Sequence, residues 1–537
     1  MNPVLPNVQA QSPANRPVRN ILFIMCDQLR RDYLGCYGHP HIRTPHIDAL
    51  AARGVRFTRC CAQGPVCGPS RMSTYTGRYV ASHGCTWNFV PVGVHMPTMG
   101  DFMRHAGLRT AVVGKTHAAG DTEGMARLRL DPKSELGILL AEGGFEPFAR
   151  HDGVVLDASL QRKGYPYNDY LRANGYPASN AWHDFANSAL GPDGEVLSGW
   201  HLRHSPLPAR VAEPHSETAW ATDRAMDFIR EQGDAPWCLH LSYIKPHWPY
   251  MAPAPYHAKY GADDVVAAVR SKAECDDTHP VYRAFRNHME SRSFSRDEVR
   301  CGVVPTYMGL ITQIDDHIGR LMAFLETQGR LDDTLIVFTS DHGDLLGDHW
   351  LGEKEMFYEP SVGVPLIVVA PRGTRRGEVD DSLTEQIDLL PTFLEALGAD
   401  GDNQWLEGQS LWRRLQSSLP TPSAECAVSE LDYAFYPAGD ALARGINDAR
   451  ATMVCTQRWK YVDYLGFRPQ LFDLQEDPDE LRDLGLDPGH DAVRLEMQDR
   501  LRAWRTALRN RTAMSDAGVR TWKQGRTQSD GVRIGEW

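Results

Sequence analysis

The stretch Asn20-Ile-Leu-Phe-Ile-Met-Cys-Asp27 begins the part of the sequence that decides the fold. The residues between Asn20 and Asp27 are apolar without interruption, a pattern typical of a strand buried on both faces of a parallel sheet. The polar pair Asp27-Gln28 follows at once. The stretch therefore predicts a central strand whose carboxyl end carries side chains that can bind a ligand.

Four similar apolar runs lie downstream, and helical patterns separate them. The clearest helix is predicted at residues 307–328, where apolar side chains recur at a spacing of 3.6. This alternation predicts an α/β fold with a large, mostly parallel sheet flanked by helices. The further strands are predicted at residues 110–114, 237–243, 335–340 and 365–370, and the first three run into Lys115, Lys245-Pro246-His247 and Asp341-His342.

Composition suggests how the chain is organised around this sheet. Residues 1–19 form a polar N-terminal segment, and residues 20–420 form the main α/β domain. Within it, residues 118–215 form a long, loop-rich insertion, which predicts either a surface insertion or a lid or wall of the substrate pocket. Short apolar runs at 451–455, 459–462 and 470–474, with an amphipathic pattern after them, predict a small antiparallel-sheet subdomain at 421–510.

The polar tail at 511–537 carries the isolated Trp522 and Trp537. Its composition fits either disorder or an arm that clasps a neighbouring subunit. The second interpretation, together with the amphipathic pattern before the tail, leads us to expect a homo-oligomer.

The overall charge excludes some partners. The 537 residues carry a formal net charge of −12, with a sequence pI near 6.0, whereas a nucleic-acid-binding protein needs a basic face. No apolar run is long enough to predict a membrane span. The N-terminal residues lack the apolar core of a signal peptide, and the eleven cysteines are an odd number. We therefore expect a reduced, cytoplasmic protein without a nucleic-acid or membrane partner.

The motif Cys67-Gly-Pro-Ser-Arg71, followed by Thr76-Gly-Arg78, is the most specific pattern in the chain. It resembles the C-x-P-S-R…T-G-R signature of the type I sulfatases, which belong to the alkaline phosphatase superfamily. The resemblance extends over about residues 18–485. It is strongest to the branch of bacterial arylsulfatases and phosphonate monoester hydrolases, on the segments 245–257 and 340–349. In this family a maturase enzyme oxidises the cysteine to formylglycine.

The resemblance implies a site for one divalent metal ion. Its ligands would be Asp27, Gln28, residue 67, Asp341 and His342. Gln28 departs from the second Asp of many sulfatases, and its amide could still face the metal. A neutral His342 with two fixed carboxylates leaves both Ca²⁺ and Mn²⁺ open.

The resemblance also implies how residue 67 acts. As hydrated formylglycine it would supply the nucleophilic hydroxyl, at the start of a helix predicted from Ser70 onward. Arg71 would hold the oxyanion form of the diol, and Asn88 would lie beside the transferred group.

Four cationic or imidazole side chains complete the implied machinery. Lys115 would bind the sulfuryl group, and His117 would remove a proton from the sulfo-enzyme hemiacetal so that it collapses to aldehyde and sulfate. His247 would be the general acid at the leaving-group oxygen, with Lys354 beside it.

The function implied is arylsulfatase-like hydrolysis of a small-molecule sulfate monoester with S–O cleavage. A site of this geometry would also accept phosphonate monoesters and phosphate diesters. The first alternative is a phosphonate monoester hydrolase or phosphodiesterase on the same scaffold. That branch carries a Tyr or Thr where this chain has Lys115 and His117, so these two residues favour a sulfatase. A remote alternative is an inactive, anion-binding homologue.

Overall fold

The protein is described here from a computed structural model that covers residues 18–153, 165–276, 278–371, 373, 375–399, 404–417 and 424–529, with side chains described as far as 523. Most of the predicted N-terminal segment at 1–19, and Trp537, lie outside the described residues. The strands are β1 (Asn20–Asp27), β2 (Val55–Cys61), β3 (Arg109–Gly114), β4 (Glu146–Arg150), β5 (Ser188–Leu190), β6 (Val196–Ser198), β7 (Trp237–Pro246), β8 (Thr334–Ser340), β9 (Gly363–Val369), β10 (Glu378–Asp380), β11 (Thr384–Glu385), β12 (Ala427–Asp432), β13 (Arg450–Cys455), β14 (Trp459–Tyr464) and β15 (Gln470–Asp473).

A nine-stranded sheet forms the centre of the described part of the chain. Its order is β10-β2-β9-β8-β1-β7-β3-β4, and β11 also pairs with β2. Only β9 pairs antiparallel with its neighbours β8 and β2, and the other pairings in this sheet are parallel. The predicted large, mostly parallel sheet is confirmed.

Helices cover both faces of this sheet. They are α1 (Pro45–Arg53), α2 (Cys67–Thr76), α3 (Val80–His83), α4 (Met99–His105), α5 (Thr122–Arg127), α6 (Glu135–Ala141), α7 (Pro166–Ala173), α8 (Glu217–Gln232), α9 (Pro280–Arg286), α10 (Met289–Phe294), α11 (Asp297–Thr327), α12 (Glu359–Val362), α13 (Leu389–Ala396), α14 (Trp412–Gln416), α15 (Pro437–Ala441), α16 (Asp491–Ala507) and α17 (Asp516–Ser529).

Successive side chains of β1 enter two different cores. Leu22 and Ile24 pack in the cluster that includes residues of α1, α8 and α11, whereas Ile21 and Phe23 pack in the cluster that includes residues of α2, α4 and α13. Because side chains alternate along a strand, burial on both sides requires the unbroken apolar run seen in the sequence.

The long helix α11 begins ten residues before the predicted start. Its first part, from Asp297, precedes Pro305, which lies inside the helix. A proline usually marks a helix end in a sequence, because it lacks the N–H that the helix needs. The pattern after Pro305 therefore revealed only the C-terminal two thirds of this element.

The segment 118–215 is more ordered than its loop-like composition predicted. Its strand β4 pairs in parallel with β3 and forms one edge of the central sheet. The segment also holds α5, α6, α7 and the β5–β6 hairpin. The loop-rich segment therefore also contains regular elements, each of which is too short to give a clear periodic signal in the sequence.

The predicted small antiparallel sheet at the C-terminal end is confirmed, with the order β12-β13-β14-β15. Helix α16 packs on one face of it through Met497 and Leu501. The tail that follows contains α17, with Trp522 exposed on it. All eleven cysteines are free thiols. Among the helices of the described residues, none is both long and apolar enough to cross a membrane.

Candidate active site

The site lies where neighbouring parallel strands end at one edge of the central sheet. Asp27 ends β1, Lys115 follows β3, His247 follows β7, and Asp341 follows β8. Each of these side chains is buried. The convergence predicted from the strand ends is therefore present in the structure, because parallel strands deliver their carboxyl ends to the same edge.

Four buried side chains form a cluster that fits a metal ion. Potential ligand atoms of Asp27, Cys67, Asp341 and His342 all lie within 4.8 Å of one another. The Nδ1 of His342 lies 2.8 Å from the carbonyl oxygen of Gly343 and so carries a proton, which leaves Nε2 free for the cluster. Two carboxylates and an imidazole are a donor set that suits a divalent cation.

Cys67 is the first residue of α2, three residues earlier than the predicted helix start. Its Sγ lies 3.1 Å from His342 Nε2 and 3.7 Å from Asp27 Oδ1. Burial, and next the charge of Asp27, raise the pKa of the Cys67 thiol to about 11. An unmodified thiol here would therefore stay protonated near neutral pH, and a thiol is a much weaker nucleophile than a thiolate.

Asn88 fixes the start of α2. Its Oδ1 accepts a hydrogen bond of 2.7 Å from the backbone N–H of Gly68, the residue after Cys67. This bond satisfies one of the N–H groups that the first turn of a helix leaves unpaired. Asn88 thus lies next to residue 67, and its place beside the transferred group stays a prediction.

Arg71 bridges the two carboxylates of the cluster. Its Nε donates to Asp341 Oδ2 at 2.8 Å and its Nη2 to Asp27 Oδ2 at 3.2 Å. Its Nη1 donates to Ser242 Oγ at 2.7 Å and to the Lys115 carbonyl at 3.0 Å. The contacts observed for the guanidinium thus hold the two carboxylates, and the contact with the diol of residue 67 stays a prediction.

Lys115 and His117 approach the cluster from β3. The Lys115 ammonium forms an ion pair with Asp27 Oδ2, and both side chains are fully buried. Burial by itself would raise the pKa of Asp27, but the buried cations Lys115 and Arg71 outweigh it and lower that pKa well below its ordinary value. Asp27 is therefore a carboxylate under all physiological conditions.

His117 is a neutral, unpartnered imidazole. Neither ring nitrogen has a hydrogen-bond partner within the described chain, and the Phe89 ring lies 4.7 Å from it between centroids. Burial, followed by the charge of Lys115, lowers the pKa of His117 well below its ordinary value. The ring is therefore available to accept a proton from a bound group.

His247 and Lys354 form a pair on the other side of the cluster. Lys354 Nζ lies 3.2 Å from His247 Nε2, and His247 Nδ1 lies 2.6 Å from the Trp248 carbonyl oxygen. Burial and then Lys354 lower the pKa of His247 well below its ordinary value. The proton between the two nitrogen atoms therefore rests on Lys354 Nζ, and His247 Nε2 accepts it as a hydrogen bond.

Gln28 contacts both groups, since its backbone N–H donates to Asp341 Oδ1 at 3.1 Å while its side-chain amide faces Lys354. Its Oε1 accepts from Lys354 Nζ at 3.0 Å, and its Nε2 donates to Asp344 and to Tyr250. The amide is thus oriented by hydrogen bonds at both ends. The predicted role as a metal ligand stays a prediction, while its contact with Lys354 is observed.

Asp344 and Tyr250 were not among the site residues predicted from the sequence. Both are buried, and the Tyr250 hydroxyl donates to Asp344 Oδ2 at 2.6 Å. Burial raises the pKa of Asp344. Asp344 stands in Ser340-Asp-His-Gly-Asp344, so its position in this motif was the signal that could have identified it.

Comparison with known proteins identifies the family of the chain. The family model described as "Sulfatase" matches residues 19–399, and the model described as "N-sulphoglucosamine sulphohydrolase, C-terminal" matches residues 347–507. The multifunctional alkaline phosphatase superfamily protein PehA of Trinickia caryophylli is 30% identical over 518 residues, which cover 92% of this chain and 96% of PehA. An arylsulfatase of Clostridium perfringens is 27% identical over 400 residues, which cover 70% of this chain and 74% of that protein.

A solved structure supports the same assignment. The phosphonate monoester hydrolase of Silicibacter pomeroyi superposes with a TM-score of 0.80 at 29% identity, over 93% of this chain and 98% of that one. The first family model alone matches well over half of the residues. The chain therefore belongs to the sulfatase family, as a type I sulfatase of the alkaline phosphatase superfamily.

Proposed function

We propose that the protein hydrolyses sulfate monoesters of small organic molecules, in the manner of an arylsulfatase. The observation that carries this proposal is the placement of Lys115 and His117. Lys115 pairs with Asp27. His117 is neutral and finds no hydrogen-bond partner among the described residues, close to Asp27 and Arg71. A cation near the cluster stabilises the equatorial oxygens of a sulfuryl group. A neutral base is what release of sulfate from residue 67 requires.

Two groups outside the sequence itself belong to the proposal. Asp27, Asp341, His342 and residue 67 would hold one divalent metal ion, Ca²⁺ or Mn²⁺. A maturase would convert Cys67 to formylglycine, and the two groups together would supply an activated hydroxyl for attack on sulfur. The raised pKa of the Cys67 thiol supports such a conversion, because the unmodified side chain is a poor nucleophile.

The remaining residues act on the charges and protons of the reaction. Lys115 and Lys354 face the negative charge of the ester from two sides of the cluster, and Arg71 holds the carboxylates of Asp27 and Asp341 in place. The His247–Lys354 pair carries the proton that a leaving oxygen needs. Asn88 keeps the start of α2, and with it residue 67, in position.

A phosphonate monoester hydrolase is the second candidate. Two solved phosphonate monoester hydrolases, from Silicibacter pomeroyi and Agrobacterium radiobacter, superpose with TM-scores of 0.80 and 0.79, each at 29% identity. A sulfuryl and a phosphonyl group present similar geometry to the same cations. We therefore propose promiscuity toward phosphonate monoesters and phosphate diesters, with sulfate monoesters as the preferred class.

The test compares two nitrophenyl esters on one preparation of the protein, produced together with a formylglycine-generating maturase. Mass spectrometry of the peptide containing residue 67 first verifies the conversion of the thiol to the aldehyde. We then expect kcat/KM for 4-nitrophenyl sulfate to exceed that for 4-nitrophenyl phenylphosphonate. A preference for the phosphonate by orders of magnitude would make the second candidate correct.

A double variant tests whether Lys115 and His117 set the preference between the sulfate and the phosphonate ester. Lys115→Tyr with His117→Thr gives the chain the residue types expected of the phosphonate branch. The ratio of sulfate to phosphonate turnover should fall in this variant, because both groups that favour sulfate are removed. An unchanged ratio would show that these two residues do not set the preference.

The cellular setting is also proposed. We place the protein in the cytoplasm as a homo-oligomer, on the grounds of its sequence and of the exposed Trp522 on α17. Gel filtration of the full chain tests the second point, and elution at the mass of one 60.1-kDa chain would contradict it.

A further inference from the structure

A cavity of about 800 Å³ lies next to Trp248, the residue that follows His247 in the chain. It is enclosed by residues 199–206, by the loop at 248–250, and by residues of α10 and α11, and Glu353 also lines it. Pockets for drug-sized molecules have volumes of roughly 300–1,000 Å³. The cavity is therefore large enough for an organic group of several rings.

Trp248 connects this cavity with the chemistry of the site. Its ring lies 4.5 Å from the His247 ring between centroids, and Lys354 Nζ lies 5.8 Å from the centroid of Trp248. Trp200 packs edge-on against it at 5.0 Å. A group that leaves from between His247 and Lys354 would therefore meet Trp248 first and Trp200 next.

Hydrogen bonds connect the cavity-lining segment that contains Trp200 to the loop that contains His247. Buried Lys245 donates to Asn187 Oδ1 at 3.0 Å and to the Pro249 carbonyl at 2.7 Å. The Asn187 carbonyl in turn accepts from the N–H of Gly199, next to Trp200. A Cβ on Gly199 would lie 2.4 Å from Met251 Cγ, so only glycine permits this close approach. The two tryptophans are thus held in place before any ligand arrives.

The lining of the cavity defines the class of ligand. Trp200, Trp248 and Phe294 provide aromatic surfaces, and Met289 exposes 75% of its surface there. The charged residues around them include both signs, with Arg203 and Arg296 against Glu290, Glu298 and Glu353. Such a surface favours an aromatic group without net charge.

We propose that this cavity binds the organic half of the substrate, and that this half is a bulky, uncharged phenol of two or more rings. The proposal rests on the proposed function in one respect, namely that His247 and Lys354 act on the leaving-group oxygen. Trp200 is then a specificity-determining residue that contacts the leaving group and takes no part in the chemistry.

The experiment compares a one-ring with a multi-ring aryl sulfate whose phenols have the same pKa, so that only leaving-group size differs. The wild type should show a higher kcat/KM for the larger ester. Trp200→Ala should reduce this preference by about tenfold, the effect of losing about 1.4 kcal/mol of aromatic contact. Trp200→Phe, which keeps a ring, should retain most of it.

Phe435→Ala is the matched control. Phe435 is 54% exposed and stacks on Trp87, close to the start of α2, so it forms a second aromatic surface near the site. Its removal should leave the size preference unchanged. A preference that survives in Trp200→Ala and disappears in Phe435→Ala would overturn the proposal.

Binding of the free multi-ring phenol, measured by calorimetry, gives a readout that needs no turnover. Its affinity should fall by about tenfold in Trp200→Ala and stay unchanged in Phe435→Ala. If mature, metal-loaded protein hydrolyses neither ester, the proposed function fails. Phenol binding by itself then tests whether the cavity binds a multi-ring phenol. Equal phenol affinity in the wild type and Trp200→Ala would contradict the present proposal.

Discussion

At the scale of the residue, buried cationic side chains of the site offset the charges of its buried carboxylates. Asp27 and Asp341 would repel each other without Arg71, which is buried between them and donates to both. Buried ion pairs add little net stability, but removing one member leaves an uncompensated charge. The family motif identifies Arg71, and the structure shows that its partners are the carboxylates.

Arg71→Met should therefore destabilise the metal-free protein by about 3–5 kcal/mol. Chemical denaturation without metal measures this change. The control is Arg458→Met, because Arg458 pairs with Asp473 while 47% of its side chain stays exposed, and exposed ion pairs contribute little to stability. Similar losses in the two variants would show that Arg71 does not hold the carboxylates together.

At the scale of the element, the end of β3 decides where Lys115 points. Gly114 pairs with Ser242 of β7 in the parallel register, and it turns the chain with φ at +97°. A Cβ at Gly114 would lie 1.9 Å from the Ser242 carbonyl oxygen. Strand pairing and this turn together deliver Lys115 to Asp27, which the sequence motif alone does not specify.

Gly114→Ala should cost at least about 3 kcal/mol, because a backbone clash adds to the strain of the left-handed conformation. Gly38→Ala measures the cost of the left-handed conformation without a clash, because Gly38 has φ at +98° and no atom within 4 Å of its Cβ position. That control should cost about 1–2 kcal/mol. Thermal unfolding of both variants checks the difference, and equal losses would refute the clash.

At the scale of the whole molecule, metal binding should couple the site to the stability of the fold. Its four potential ligands come from β1, α2 and the segment after β8. A ligand that binds only the folded state stabilises it by about 2.7 kcal/mol at a concentration one hundred times its Kd.

Addition of Ca²⁺ or Mn²⁺ to chelator-treated protein should therefore raise the thermal unfolding midpoint, and Asp341→Ala should abolish this rise. Asp315→Asn is the control, because Asp315 belongs to a separate acidic group with His46 and Asp316. The rise should persist in that variant. Loss of the rise in Asp315→Asn alone would place the metal at the other group.

The sequence by itself determined the central strands and the chemistry at their ends. An unbroken apolar run such as 21–26 buries all of its side chains only as a strand between two helical layers. Parallel pairing then brings Asp27, Lys115, His247 and Asp341 together at the carboxyl ends of the strands. Short elements such as β4 were missed, because a few residues carry no periodic signal.

Only the tertiary structure decided how the site residues are partnered. Arg71 binds the carboxylates, Gln28 binds Lys354, and Tyr250 with Asp344 orients Gln28, although more than 200 residues separate some of these partners. The cavity beside Trp248 likewise arises where segments distant in sequence meet. A motif fixes which side chains stand at a strand end, but hydrogen-bond direction, burial and cavity shape depend on what packs against them, and that is set by the fold as a whole.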